Sequence, residues 1–316
     1  MVDGPRSRWL TRQIVWRRIL TASAVLAILG SGVTATGADA HTPISLLGAP
    51  ADPVLVGAGD ISTCTNAGDS RTAALIEDIP GTVFTAGDNA YEDGTLEQFQ
   101  DCYDPTWGAF LERTRPTPGN HEYRTAGAAG YFTYFGSRAG NPGEGYYAYD
   151  LGAWRIYALN SQCAPVGGCG KGSPQLKWLK ADLAANPSPC IAAYWHHPRF
   201  SSGAHGNHPK VKPFWRALYA AGADVIINGH DHDYERFARQ KPNGDRTTDG
   251  VREFVVGTGG AERRPFRNIK RNSQVRNAST FGVLKLTLHA TSYDFEFVPQ
   301  AGKTFTDSRT GVRCSD

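Results

Sequence analysis

Gly87-Asp88-Asn89-Ala90-Tyr91 follows a short apolar run, Thr82-Val83-Phe84, that reads as a buried strand. Gly87 lets the chain turn sharply where that strand ends. Asp88 then stands at the carboxyl edge of a sheet, where open α/β sheets keep their ligand crevice. Tyr91, three residues on, folds back over the same point. A carboxylate has two oxygens and can bridge two metal ions. A phenol, with an ordinary pKa of about 10, ionises readily only beside a strong Lewis acid. One Gly-Asp after a strand is usually an ordinary turn. The reading therefore depends on whether other strand ends repeat the pattern.

Four others do. They are Gly59-Asp60, Gly119-Asn120-His121-Glu122, Trp195-His196-His197-Pro198 and Gly229-His230-Asp231-His232. Each follows an apolar run and offers oxygen or imidazole donors, which suit iron, zinc or manganese better than a copper–thiolate site. His230 and His232 are two apart, so on an extended segment their side chains point the same way. One turn then supplies a ligand to each of two neighbouring metals.

The rest of the chain fits an α/β domain. Strands are expected at 54–56, 82–86, 191–195, 224–227, 254–256, 281–288 and 293–298, with a hairpin over 146–159. Helices are expected from a Ser70 or Asp69 cap to about residue 79, over 96–102, from Ser173-Pro174 onward, and over 209–221 with Gly222 as the cap. Residues 123–144, rich in glycine and aromatics, read as an irregular lid or insertion. The basic segment 263–276 reads as a solvated loop rather than a polyanion-binding stretch.

Residues 1–40 read as an export signal: an Arg-rich start, an apolar run over 19–29, and Ala38-Asp39-Ala40 as a cleavage site after Ala40. The run is shorter than the ~20 residues a membrane span needs. Arg17-Arg18 hints at twin-arginine export. These forty residues hold five Arg and two Asp, which accounts for the whole formal net charge of +3. The remainder, 41–316, reads as one neutral domain, with no call for nucleic acid or a membrane surface. Six cysteines, none in a C-x-x-C pair, favour disulfides in an exported chain. Cys163 and Cys169 flank a Gly-rich loop and are suited to close it; the other pairings stay open.

The five motifs, in this order across residues 54–236, resemble those of the calcineurin-like metallophosphoesterases, and within them the purple acid phosphatases. The wider superfamily usually has a histidine where this chain has Ser62, and here Tyr91 is present instead. That paired change resembles the purple acid phosphatase branch. Val256-Gly257-Thr258-Gly259-Gly260 resembles the same family's late Gly-rich turn. The chain is similar to a compact bacterial form without the N-terminal β-sandwich domain of the large plant enzymes.

The resemblance implies an α/β fold: a β-sandwich of two mixed sheets flanked by helices in αββα layers. It implies two metal ions, Fe(III) plus a divalent zinc, iron or manganese. Asp60, Tyr91 and His232 would hold the first, Asn120, His196 and His230 the second, and Asp88 would bridge them. Asn120, His121 and His205 would meet the substrate phosphate, with His121 and His205 catalytic; His208 is a rival to His205, and His197 lies behind the ligands. The implied reaction is hydrolysis of phosphate monoesters of a small substrate by a metal-bound hydroxide, in a secreted protein. A phosphodiesterase or nucleotidase would use the same ligands. A reading of another class is a secreted binding protein whose fold the metals merely stabilise.

Overall fold

A computed structural model describes residues 51–315, so the expected export signal lies outside the described residues. In chain order the main elements begin with β1 (Val54–Ala58), α1 (Gly68–Glu77), β2 (Thr82–Ala86), α2 (Leu96–Gln98) and β3 (Thr114–Thr117). There follow α3 (Ala129–Phe135), β4 (Tyr147–Leu151), β5 (Trp154–Ala158), α4 (Pro174–Ala185), β6 (Cys190–Tyr194), α5 (Lys212–Ala220) and β7 (Val225–Asn228). The chain then turns to β structure: β8 (Tyr234–Phe237), β9 (Arg252–Val256), β10 (Ser273–Asn277), β11 (Gly282–Leu288), β12 (Ser292–Pro299) and β13 (Ser308–Arg313).

The strands form two mixed sheets, ordered β13-β12-β11-β1-β2-β3 and β10-β8-β9-β7-β6-β5-β4. β1, β2 and β3 run parallel in the first; β5, β6, β7 and β9 run parallel in the second. Parallel strands need helical crossovers that cover the sheet faces, which is why β1, β2, β6 and β7 are largely apolar rather than alternating. β6 shows the division of labour. Cys190, Ala192 and Tyr194 join the core between the sheets, while Ile191 and Ala193 join the core under α4 and α5. Aromatic pairs tie sheet to sheet: Phe84 with Tyr194 at 5.5 Å, Trp154 with Tyr293 at 5.7 Å, Phe254 with Phe295 at 5.1 Å. The architecture is the α/β sandwich with flanking helices that the motifs implied.

Local chemistry explains most element ends. The Ser173 hydroxyl accepts the Leu176 N–H, and Pro174 occupies the first turn of α4, where its missing N–H costs nothing. Gly222, at φ +77°, closes α5 in the left-handed conformation. Two expectations are corrected. Helix α1 opens at Gly68, not beyond Ser70 or Asp69, and Asn66 Oδ1 accepts the Gly68 N–H at 2.6 Å. Asp69 instead turns inward to accept from the Ser62 and Thr106 hydroxyls. The glycine- and aromatic-rich stretch is not wholly irregular either. It contains α3, whose Tyr134 and Phe135 rings pack on Phe99 at 5.0 and 5.5 Å, so these aromatics serve the core.

All six cysteines are paired, as Cys64–Cys102, Cys163–Cys169 and Cys190–Cys314. The first pins the loop after β1. The last joins the start of β6 to the residue following β13, linking the two sheets covalently.

Candidate metal centre

The parallel strands deliver their carboxyl ends to one rim, and the five Gly- and His-bearing turns lie along it. Three of the donor residues stand in left-handed backbone: Asp60 at φ 60°, Asp88 at φ 50° and His230 at φ 72°. Side-chain-bearing residues avoid this region, and such strain collects where a site over-determines the backbone. The left-handed turn at His230 also corrects the expectation of an extended 230–232 segment. Gly119 is required for close approach: a Cβ there would stand 2.2 Å from Asp88 Oδ1 and 2.4 Å from Asp88 N.

The seven metal-ligand candidates converge in two sets. In one, Tyr91 Oη lies 2.9 Å from Asp60 Oδ1 and 3.2 Å from His232 Nε2, and His232 Nε2 lies 3.4 Å from Asp60 Oδ1. In the other, His196 Nε2 lies 3.1 Å from Asn120 Oδ1 and 3.1 Å from His230 Nδ1. Asp88 Oδ2 reaches both, at 3.2 Å from Tyr91 Oη and 3.1 Å from His196 Nε2. The other oxygens are spoken for. Asp88 Oδ1 accepts the His121 N–H at 2.8 Å, and Asp60 Oδ2 accepts the His230 N–H at 2.8 Å. A single oxygen of Asp88 thus stands between the sets. Histidine orientation follows the same logic: His196 Nδ1 donates to Ala86 O and His232 Nδ1 to Glu262 O, leaving each Nε2 lone pair facing the centre.

The donor set fits cations. Asp60 and Asp88 are buried, and no Lys or Arg pairs with either among the described residues. Burial, then the Asp60 and Asp88 carboxylates, push the Tyr91 phenol well above its ordinary pKa, so only a strongly Lewis-acidic partner would draw off its proton. Burial would raise the Asp88 carboxyl, but the charge and hydrogen bond of His196, then His121, hold it well below the usual range. His196 is pushed up to about 9: burial lowers it, and Asp88 outweighs that effect.

Around this centre, His121 Nδ1 faces Glu92 O at 2.5 Å, its Nε2 lies 3.8 Å from Asp88 Oδ2, and its ring lies against Tyr91 at 4.2 Å. The His205 ring lies 4.3 Å from His230, and its Nε2 receives a 2.7 Å hydrogen bond from Arg264. His208 lies one ring further out, against His197 at 4.4 Å. His197 itself lies 4.3 Å from His230 and bonds Ser161 Oγ through Nδ1 at 2.9 Å.

Two residues in the quoted motifs had no role assigned from sequence. Glu122 is fully buried and accepts the N–H groups of Asp88, Asn89 and Gly119 at 3.0, 2.7 and 2.6 Å, which fixes the Asp88 loop. Asp231, between the two histidines, accepts the N–H groups of His205 and Gly206 at 2.7 and 3.1 Å and bonds the Ser201 hydroxyl. It positions the His205 loop over the centre. The only available signal for either was a carboxylate set inside a histidine motif.

Comparison with known proteins agrees with this geometry. A profile for the calcineurin-like phosphoesterase family matches residues 39–234, and the chain belongs to that family. Its relatives include purple acid phosphatase 15 of Arabidopsis thaliana, 29% identical over 239 residues, covering 64% of this chain and 44% of that one. Purple acid phosphatase 1 of Ipomoea batatas is 29% identical over 181 residues, covering 50% of this chain and 37% of that one. The chain spans less than half the length of these relatives. Among solved structures, the purple acid phosphatase PPD1 of yellow lupin superposes with a TM-score of 0.68 at 19% identity, covering 81% of this chain and 53% of that one. GAP50, described as the anchor in the inner membrane complex of Plasmodium, superposes with a TM-score of 0.66 at 14% identity, covering 84% and 90%.

Proposed function

We propose that the protein is a binuclear-metal phosphatase that hydrolyses phosphate monoesters, with Fe(III) at Asp60, Tyr91 and His232 and a divalent ion at Asn120, His196 and His230. The observation that supports it is the position of Asp88 Oδ2, within 3.2 Å of a donor from each set. A metal pair held between these sets supplies Lewis-acid charge and a nucleophile near neutral pH. The protein's own groups do the rest. Glu122 and Gly119 hold the Asp88 loop against the rim, so the bridging oxygen needs no reorganisation. His121, its Nδ1 satisfied by Glu92 O, turns Nε2 toward Asp88 Oδ2 with the Arg124 guanidinium 3.4 Å from it, so His121 and Arg124 together face an incoming phosphate. Arg264 is an obligate donor, so His205 Nε2 accepts and the ring's proton sits on Nδ1. From there it can donate a hydrogen bond to an oxygen of the substrate.

The three disulfides support export to an oxidising compartment, as the N-terminal sequence implies. A fold neighbour described as an anchor shows that the fold alone does not decide between enzyme and binding protein. Elemental analysis with a p-nitrophenyl phosphate assay does. Two metal ions per chain and turnover that falls by about a thousandfold in Asp88→Asn are expected; metal without turnover would leave the binding-protein reading.

A further inference from the structure

Beside the metal centre lies a second site, a concavity of about 540 Å³ lined by Asn66, Arg71, Glu262, Arg263, Ser279 and Phe281 among others. It adjoins the centre through the chain itself. Glu262 O accepts from His232 Nδ1, the Arg264 N–H donates to His232 O at 3.1 Å, and Arg263 lies between them in sequence. Successive arginines therefore serve two places. Arg264 reaches His205 at the centre, whereas Arg263 lies over the Phe281 ring, 3.8 Å from its centroid, in the second concavity. Stacking on an aromatic face holds a guanidinium in a defined plane with its N–H fork free.

Arg71, on the exposed side of α1, completes the arrangement. Arg71 and Arg263 both line this one concavity, and burial, then the charge of Arg71, lower the Arg263 guanidinium. Among the described residues no carboxylate lies within ion-pair distance of either, although Glu262 also lines the concavity. Two guanidiniums lining one concavity without a counter-ion repel each other, and an anion between them removes that cost.

We infer that Arg71 and Arg263 form an anion subsite for a second phosphate of the substrate, so that bisphosphorylated small molecules are preferred to their monophosphates. The inference rests on the phosphatase reading for the position of the scissile phosphate, but the subsite binds its anion by its own groups. On this reading the scissile phosphate sits at the metal centre and the distal phosphate between the two guanidiniums.

The test uses the metal-loaded full chain, with fructose 6-phosphate and fructose 1,6-bisphosphate as competitors of p-nitrophenyl phosphate turnover. The bisphosphate is expected to inhibit about tenfold more tightly than the monophosphate, a difference of about 1.4 kcal/mol. Arg71→Gln/Arg263→Gln should bring that ratio to about one while leaving kcat on p-nitrophenyl phosphate unchanged. Arg71→Gln alone, on an exposed helix face, should lower the ratio part of the way. Equal inhibition by the two competitors in the wild type, or an unchanged ratio in the double variant, would overturn the subsite. Should the loaded protein fail to turn over p-nitrophenyl phosphate, the phosphatase reading fails, and calorimetric titration with fructose 1,6-bisphosphate decides the subsite separately. Binding lost in the double variant supports it; equal binding in both proteins refutes it.

Discussion

Asp231 turns its carboxylate away from the centre that its neighbours His230 and His232 face, and accepts the backbone N–H of His205 at 2.7 Å. One turn thus presents two candidate ligands on one side and holds the His205 loop on the other. Asp231→Asn keeps one acceptor oxygen and loses the charge that strengthens these bonds, each worth roughly 1.5–3 kcal/mol. The expected outcome is a fall in kcat of about tenfold with metal content unchanged. Steady-state kinetics beside elemental analysis checks it; a parallel loss of metal would show that Asp231 supports the ligands instead.

Asp88 and Tyr91 give separable signatures. Asp88→Asn should lower turnover by about a thousandfold, the scale of removing a central electrostatic group, and should reduce bound metal below two ions per chain. Tyr91→Phe should abolish any visible absorption arising from a phenolate on Fe(III) while leaving the second donor set intact. Optical spectra of the wild type and variant, recorded at known iron content, test this. A visible band that survives in Tyr91→Phe would remove Tyr91 from the ligand set.

The Cys190–Cys314 bond closes a sequence separation of 124 residues. In the chain-entropy account a loop of that size stabilises by about 4–5 kcal/mol. Cys190→Ser/Cys314→Ser should lower the unfolding free energy by an amount of that order. Cys163→Ser/Cys169→Ser, which opens a separation of only 6, should cost less. Denaturant titration of the two double variants makes the comparison, and a larger loss from the short loop would contradict it.

Asp224 offers a pH test away from the centre. It is fully buried, and burial pushes its carboxyl up to about 6, against the hydrogen bonds it accepts from Ser315 and Ile191. Its proton is held more tightly in the fold than in the unfolded chain. Its contribution to stability is therefore complete below about pH 4 and is lost as pH rises through about 6. Asp224→Asn should remove that dependence, so the wild type loses stability relative to the variant by about 3 kcal/mol between pH 4 and pH 8. Unfolding midpoints of both proteins across that range test the sign.

The sequence showed β1, β2, β6 and β7 because each is an apolar run stopped by glycine or histidine, and those stops are the rim of the site. It did not show β8, β10 or β13. Glu235 and Arg236 break the apolar signal in β8, while β10 and β13 are polar strands at the sheet edges, where one side has no partner to pack against. Helix α3 was hidden by glycines and aromatics that lower helix propensity, and packing on Phe99 overrides that preference. The donor residues were legible because each lies within five residues of a strand end. Glu122 and Asp231 were not, because the contacts that give them their roles, Glu122 with the Asp88 and Asn89 N–H groups and Asp231 with those of His205 and Gly206, join residues more than twenty apart, which no local pattern records.

The left-handed turns at Asp60, Asp88 and His230 have a consequence for descent. Each opposes folding by an amount on the order of 1–3 kcal/mol that a glycine would relieve. Lineages in which hydrolysis ceased to matter would be free to shed that burden, and glycine or asparagine would accumulate at these three places first. A relative that keeps aspartate, aspartate and histidine there still carries that cost.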